Sequence, residues 1–136
     1  MKIEDWKKVE DGMLTHPLAN PRLNVDGRTV RLHNVRDKQR IVIAVYVDGW
    51  IKGEWLNPKK PCPEQAYMRK CEKNLFKKKE REEYAKFAKQ FGKREAKKYL
   101  PDMTRTYVFF TPYFPSVRAI RLQYEKNFKS IELVNV

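Results

Sequence analysis

Apolar residues recur along this chain with two different periods, and the switches between them mark its elements. Ile3, Trp6, Val9 and Met13 stand three or four apart, which predicts a short N-terminal helix. Thr15 to Arg22 carries Pro17 and Pro21 and reads as an extended lead-in. The pattern then becomes that of strands, and the dipeptide Asp-Gly occurs at Asp26-Gly27 and again at Asp48-Gly49. Asp-Gly accepts the positive φ angles of tight two-residue turns, so two hairpins are predicted. After the first turn Thr29-Val30-Arg31-Leu32-His33 alternates, with Val30 and Leu32 inward and Arg31 and His33 outward. Around the second turn Val47 is expected opposite Trp50, Tyr46 opposite Ile51, Ala44 opposite Gly53 and Val42 opposite Trp55. Directly opposed residues share a face, so Val42, Ala44, Tyr46, Ile51 and Trp55 should form one inward apolar surface. Ile41 to Val47 is apolar on both faces and reads as a central strand.

Pro58, Pro61 and Pro63 end the strands, and Pro63 suits the first turn of a helix. From Glu64 to Leu100 the spacing reads as helical: Tyr67, Cys71 and Leu75, then Tyr84, Phe87, Ala88 and Phe91, then Ala96, Tyr99 and Leu100. Gly92 can divide this stretch and Pro101 stops it, giving two or three helices. Arg105 to Thr111 is β-branched and aromatic, as strands are. Ser116 is a fitting N-cap for a helix over Val117 to Asn127, with a strand over Val117 to Tyr124 as the competing reading. Ser130 to Val134 closes the chain as a short strand. The expected fold class is α+β. A mostly antiparallel sheet, from the two Asp-Gly hairpins and the C-terminal strands, has two or three basic amphipathic helices inserted. A length of 136 residues fits a single domain, residues 1–136.

Composition adds a charge to this fold. Thirty Lys and Arg against seventeen Asp and Glu leave a formal net charge of +13, while 41% of residues are hydrophobic and 12% aromatic. So many rings can bury a core, which argues against wholesale disorder. The longest apolar run, Ile41 to Val47, falls well short of the roughly 20 residues of a membrane span. The first residues, Met1-Lys2-Ile3-Glu4-Asp5-Trp6, lack the apolar stretch of a secretion signal. Cys62 and Cys71 make no disulfide framework and suit a reducing cytoplasm. The expectation is a small basic protein of the cytoplasm with no membrane partner.

Catalytic chemistry has little to stand on. None of the five glycines falls in a phosphate-binding pattern. His16 and His33, the only histidines, have no evident Ser or Cys nucleophile beside them and read as surface residues. With Cys62 and Cys71 they make a nominal zinc set, but gaps of seventeen between the histidines and nine between the cysteines do not match finger spacing. A magnesium-dependent nuclease needs converging carboxylates, and only Asp102 and Glu132 suggest themselves. No enzyme activity, cofactor or metal is expected.

The basic segment is the strongest signal. Asn57 to Leu100 holds fifteen Lys or Arg against six Glu, a local excess of nine. Lys86, Lys89, Lys93 and Lys97 stand three or four apart and would form a ridge on one helix. A lysine row of this kind tracks phosphates, and a large positive field attracts polyanions. The alternative is an ordinary solvated face relieved by pairs such as Glu82 with Lys86. Arg118 and Arg121 add a second basic edge. Tyr107, Phe109, Phe110, Tyr113 and Phe114 precede them, as sheet core or as rings on which bases could stack. The expected partner is nucleic acid or an acidic protein surface.

The C-terminal part resembles small accessory proteins of bacteriophages and integrative elements. The likeness lies in Phe91-Gly92-Lys93-Arg94, Pro101-Asp102, Thr111-Pro112-Tyr113, Ser116 and Ser130-Ile131-Glu132-Leu133. It implies a stand-alone binder, or an inhibitor of a host nuclease or defence enzyme of the anti-restriction or anti-CRISPR type. It implies no particular site residue.

Overall fold

A computed structural model describes residues 1–136. Asp26 and Gly27 take φ angles of 47° and 85°, as a tight two-residue hairpin turn requires. They join β1 (Arg22–Val25) to β2 (Arg28–Asp37), with Val25 opposite Arg28 and Leu23 opposite Val30. Val30 and Leu32 are buried, as the alternation predicts. A reversal without an Asp-Gly signal, with Lys38 at φ 56°, leads into β3 (Arg40–Val47), which pairs along most of β2. Two further strands complete an antiparallel sheet. β6 (Tyr113–Phe114) lies beside β3 and β7 (Ile131–Asn135) beside β1, giving the order β6-β3-β2-β1-β7. β3 is therefore internal, in keeping with its two apolar faces.

The second Asp-Gly site forms its turn but not its hairpin. Asp48 and Gly49 have φ of 51° and 82°, and Val47 exchanges two backbone hydrogen bonds with Trp50, each 3.0 Å. The ladder ends there, and Gly53–Leu56 closes into a 3-10 turn. β6 takes the place the second arm was expected to fill, with Ile43 opposite Phe114 and Ala44 opposite Tyr113. The expected inward surface is corrected with it. The core face of β3 carries Ile43, Val45 and Val47, while Val42, Ala44 and Tyr46 lie on the other side. A strand pairing of Trp55 with Val42 would have left the indole on that other side. The 3-10 turn instead delivers Trp55 to the core, where it is 4% exposed.

Two helices cover the core face. α1 (Ile3–Thr15) buries Trp6, Val9 and Met13. α4 (Val117–Asn127) buries Val117, Ile120 and Tyr124, and Ser116 caps it by accepting from the Ala119 amide at 3.2 Å. The helical reading of this segment is the one observed. These side chains join Leu23, Val25, Val30 and Leu32 in one apolar cluster.

Beyond the prolines the stretch expected to be helical is mixed. Pro63–Tyr67 is a 3-10 turn, and Arg69–Asn74 is a strand, β4, paired with β5 (Thr106–Thr111) in a separate two-stranded sheet. The helix expected through Tyr67, Cys71 and Leu75 is thus corrected. Only Cys71 of the three lies in the strand, Tyr67 ending the 3-10 turn and Leu75 following β4, and pairing with the aromatic β5 holds the segment extended. α2 (Lys78–Phe91) and α3 (Lys93–Tyr99) follow, separated at Gly92 with φ 92°.

The chain divides into two compact units, Met1–Lys70 with Phe110–Val136, and Cys71–Phe109. The first holds the five-stranded sheet, α1, α4 and nearly all the buried residues. In the second only Ala96 is buried, and Leu75, Phe91, Tyr99 and Tyr107 are exposed. No helix is long and apolar enough to cross a membrane.

Candidate functional site

The basic helices begin where the chain must leave β4. The Lys77 amide donates to the Glu80 carboxylate at 3.2 Å, closing the first turn of α2. Its rings stack along one side, with Phe87 and Phe91 centroids 4.7 Å apart. Gly92 then breaks the axis, so the four lysines do not lie on one uninterrupted helix: Lys86 and Lys89 belong to α2, Lys93 and Lys97 to α3. The break nonetheless brings three of them together. Lys89, Lys93 and Lys97 line one groove whose remaining wall is Tyr84, Ala85 and Ala88. Lys86 is exposed outside it. No carboxylate lines this groove, and none of the four ion pairs in the structure involves α2 or α3. The pair Glu82–Lys86 that would mark an ordinary solvated face is not formed. The lysines line this groove mainly with their aliphatic stems, and of the three Lys97 is near enough to Asp102 to help hold that carboxyl down.

Arg118 and Arg121 lie in the other unit, on α4. They border a groove between α4 and α1 with Ile3, Trp6, Lys7 and Glu10. Arg121 is tied to Glu125, Nε to Oε1 at 3.2 Å, whereas Arg118 is exposed and unpaired. Of the aromatic run before α4, Phe114 is buried and Phe110 packs against the core, while Tyr107 and Tyr113 are exposed.

No family model, curated protein or solved structure matches the chain. Any functional reading therefore rests on the residues themselves.

The residues considered for catalysis are dispersed. His16 is exposed, and His33 is half-buried on β2, on the face away from the core. Cys62 and Cys71 are free and half-buried, and burial pushes the Cys62 thiol above its ordinary range. No three His, Cys, Asp or Glu side chains stand close enough to hold a metal ion. Asp102 is occupied locally. Its Oδ1 accepts from the Thr104 amide at 2.9 Å and the Thr104 hydroxyl at 2.6 Å, which holds its carboxyl below the usual range.

One polar constellation has no counterpart in the sequence patterns. Arg28, just after the first Asp-Gly turn, donates from Nε to Asp48 at 2.8 Å and from Nη1 to Glu64 at 3.0 Å. The Arg28 hydrogen bond lowers the Asp48 carboxyl; for Glu64 its own backbone amide comes first and Arg28 second. With both acids satisfied by one guanidinium, this cluster joins the two turns and is structural.

Proposed function

We propose that this chain is a small basic accessory protein that binds nucleic acid through the lysine-lined groove of α2 and α3 and catalyses no reaction itself. One observation supports the reading: Lys89, Lys93 and Lys97 line one groove, and none of them is in an ion pair. A local excess of lysines without ion-pair partners attracts a polyanion, which releases its own condensed cations on binding. Arg118, exposed and unpaired, is a secondary contact on the same principle. On this reading the protein acts in the bacterial cytosol.

A second reading has its own support. The floor of Tyr84, Ala85 and Ala88 is apolar, which suits side chains of a protein whose acidic rim meets the lysines. The protein would then inhibit a host enzyme that handles nucleic acid or serves in defence.

Salt titration tests the first reading. Affinity for a mixed-sequence duplex is measured at several salt concentrations for the parent and for the double variant Lys89→Glu/Lys93→Glu. Each lost phosphate contact should flatten the slope of log affinity against log salt by about 0.9, so the double variant should lose about twice that. Unchanged affinity and slope would remove the groove from the interface. A parent protein that binds no nucleic acid at low salt would shift the reading to the protein inhibitor.

A further inference from the structure

The sheet has a second face that no helix of its unit covers. Strand register places Arg22 of β1 directly opposite Arg31 of β2, and Arg31 directly opposite Tyr46 of β3. The adjacent row on the same face is His33, Ala44 and Tyr113. All six positions alternate with core residues: Leu23, Val30, Leu32, Val45 and Phe114 point to the helices. Two arginines held directly opposite each other repel, and a sheet built for stability alone would set an acid at one of the positions. Neither arginine is in an ion pair, although both are half-buried. The acids on this face are spoken for or set aside. Asp37 lies at the hairpin end and pairs with Arg40 at 3.9 Å, and Glu132 stands opposite Asn24 without pairing to either arginine.

Around this charged pair stand three ring side chains. Tyr46 and His33 are half-buried, Tyr113 is 42% exposed, and the small, fully buried Ala44 lies between His33 and Tyr113 in its row. The row therefore has rings at its ends and a low centre. A phosphate spanning Arg22 and Arg31 would relieve their repulsion through charge-assisted hydrogen bonds to two planar forks. The rings beside it offer flat surfaces to bases, which are free to stack on a protein only when they are not already stacked in a duplex.

We propose that this face binds single-stranded nucleic acid, with a backbone phosphate between Arg22 and Arg31 and bases on Tyr46, His33 and Tyr113. The proposal rests on the reading of the partner as nucleic acid and adds a site, in the other unit, that discriminates single strand from duplex.

Residue-resolved NMR on the whole protein decides it. The probes are an oligothymidylate of about eight nucleotides, within the usual site size, a mixed-sequence duplex, and inorganic phosphate. Expected are shifts of His33, Ala44 and Tyr46 with the oligothymidylate, smaller shifts with duplex, and none with phosphate at equal concentration. Arg22→Gln should weaken oligothymidylate binding about tenfold and flatten its salt slope by about 0.7, the value for one contact to a single strand. That variant should melt no lower than the parent, because it removes a like-charge pair. Tyr46→Leu should weaken binding about tenfold while keeping the parental slope. Shifts confined to α2 and α3 would overturn this proposal and leave the lysine groove standing. Shifts confined to the sheet face would support it and overturn the groove. No shift with either nucleic acid would overturn both, and equal shifts with inorganic phosphate would reduce the face to a simple anion site, overturning the assignment. If Arg22→Gln fails to fold, the mapping on the parent protein decides.

Discussion

The Tyr124 hydroxyl donates a 2.8 Å hydrogen bond to the backbone carbonyl of Tyr67, inside the core. Tyr67 passes the connection on, its own hydroxyl donating to the Val25 carbonyl at 2.9 Å. Three segments remote in sequence are thus fastened in series: α4, the 3-10 turn after the prolines, and β1. The rings pack as well, Tyr67 and Tyr124 edge to face with centroids 6.0 Å apart. Burial holds the Tyr124 hydroxyl protonated by raising it well above its ordinary range, so it remains a donor in alkaline solution.

Tyr124→Phe keeps the ring and removes only the donor. The Tyr67 carbonyl then loses its buried partner, which costs about 1–3 kcal/mol. Urea unfolding should show a lower midpoint with an unchanged slope. An unchanged midpoint would mean that water or another group satisfies this carbonyl.

The Arg28–Asp48–Glu64 cluster makes a prediction about acid. Asp48 and Glu64 are both held below their ordinary carboxyl range in the folded chain. The unfolded chain therefore binds protons first, and stability falls as protons are taken up. The contribution is complete above the ordinary carboxylate range and is lost as the pH falls below about 4. Asp48→Asn should be slightly less stable than the parent at neutral pH, by about 0–1 kcal/mol for a pair this exposed. The difference should shrink as the solution is acidified. Thermal melts of both proteins across that range check it, and a difference that grows toward low pH would refute the sign.

What the sequence made legible follows from where each signal is stored. α4 is bounded as expected because its cap at Ser116 and its spacing of Val117, Ile120 and Tyr124 are local. The turn at Lys38 is not legible because a lysine at positive φ leaves no mark in composition. β4 is not legible because Tyr67, Cys71 and Leu75, four apart, fall in three different settings, the 3-10 turn, the strand and the residue after it, and the deciding partner, β5, lies more than thirty residues on. The core face of β3 is illegible for a similar reason. With both faces apolar, only the place of Trp55 could decide, and that depended on a 3-10 turn that alternation does not announce. The lysine row is legible as residues but not as a shape, since the sequence shows that Gly92 can divide the helix but not the angle at which it does so. The opposition of Arg22 and Arg31 becomes visible only in the register of the first hairpin, because neither alone marks a pair.

Gly92 therefore carries the shape of the candidate groove, and its substitution is informative. Its φ of 92° with ψ of 154° is a conformation reserved for glycine. Added bulk is not the obstacle, since no atom lies within 4 Å of where a Cβ would stand. The cost is in the backbone, about 1–3 kcal/mol for alanine held in this region. The unit around it buries only Ala96 and has little packing with which to enforce such strain. Alanine also favours helix over glycine by about 0.8–1.0 kcal/mol. Gly92→Ala should accordingly relax, joining α2 and α3 into one longer helix. The far-UV signal at 222 nm should strengthen, while the main melting transition, set by the sheet and its two helices, should stay where it is. The bend that sets Lys89, Lys93 and Lys97 around the groove would be lost, the three standing instead in a straight row on one helix face, and nucleic-acid affinity should fall although no charge has been lost. A variant with weaker helical signal would show that the break is held by packing after all. A variant with the expected helix but parental affinity and salt slope would show that the groove's shape is irrelevant to binding.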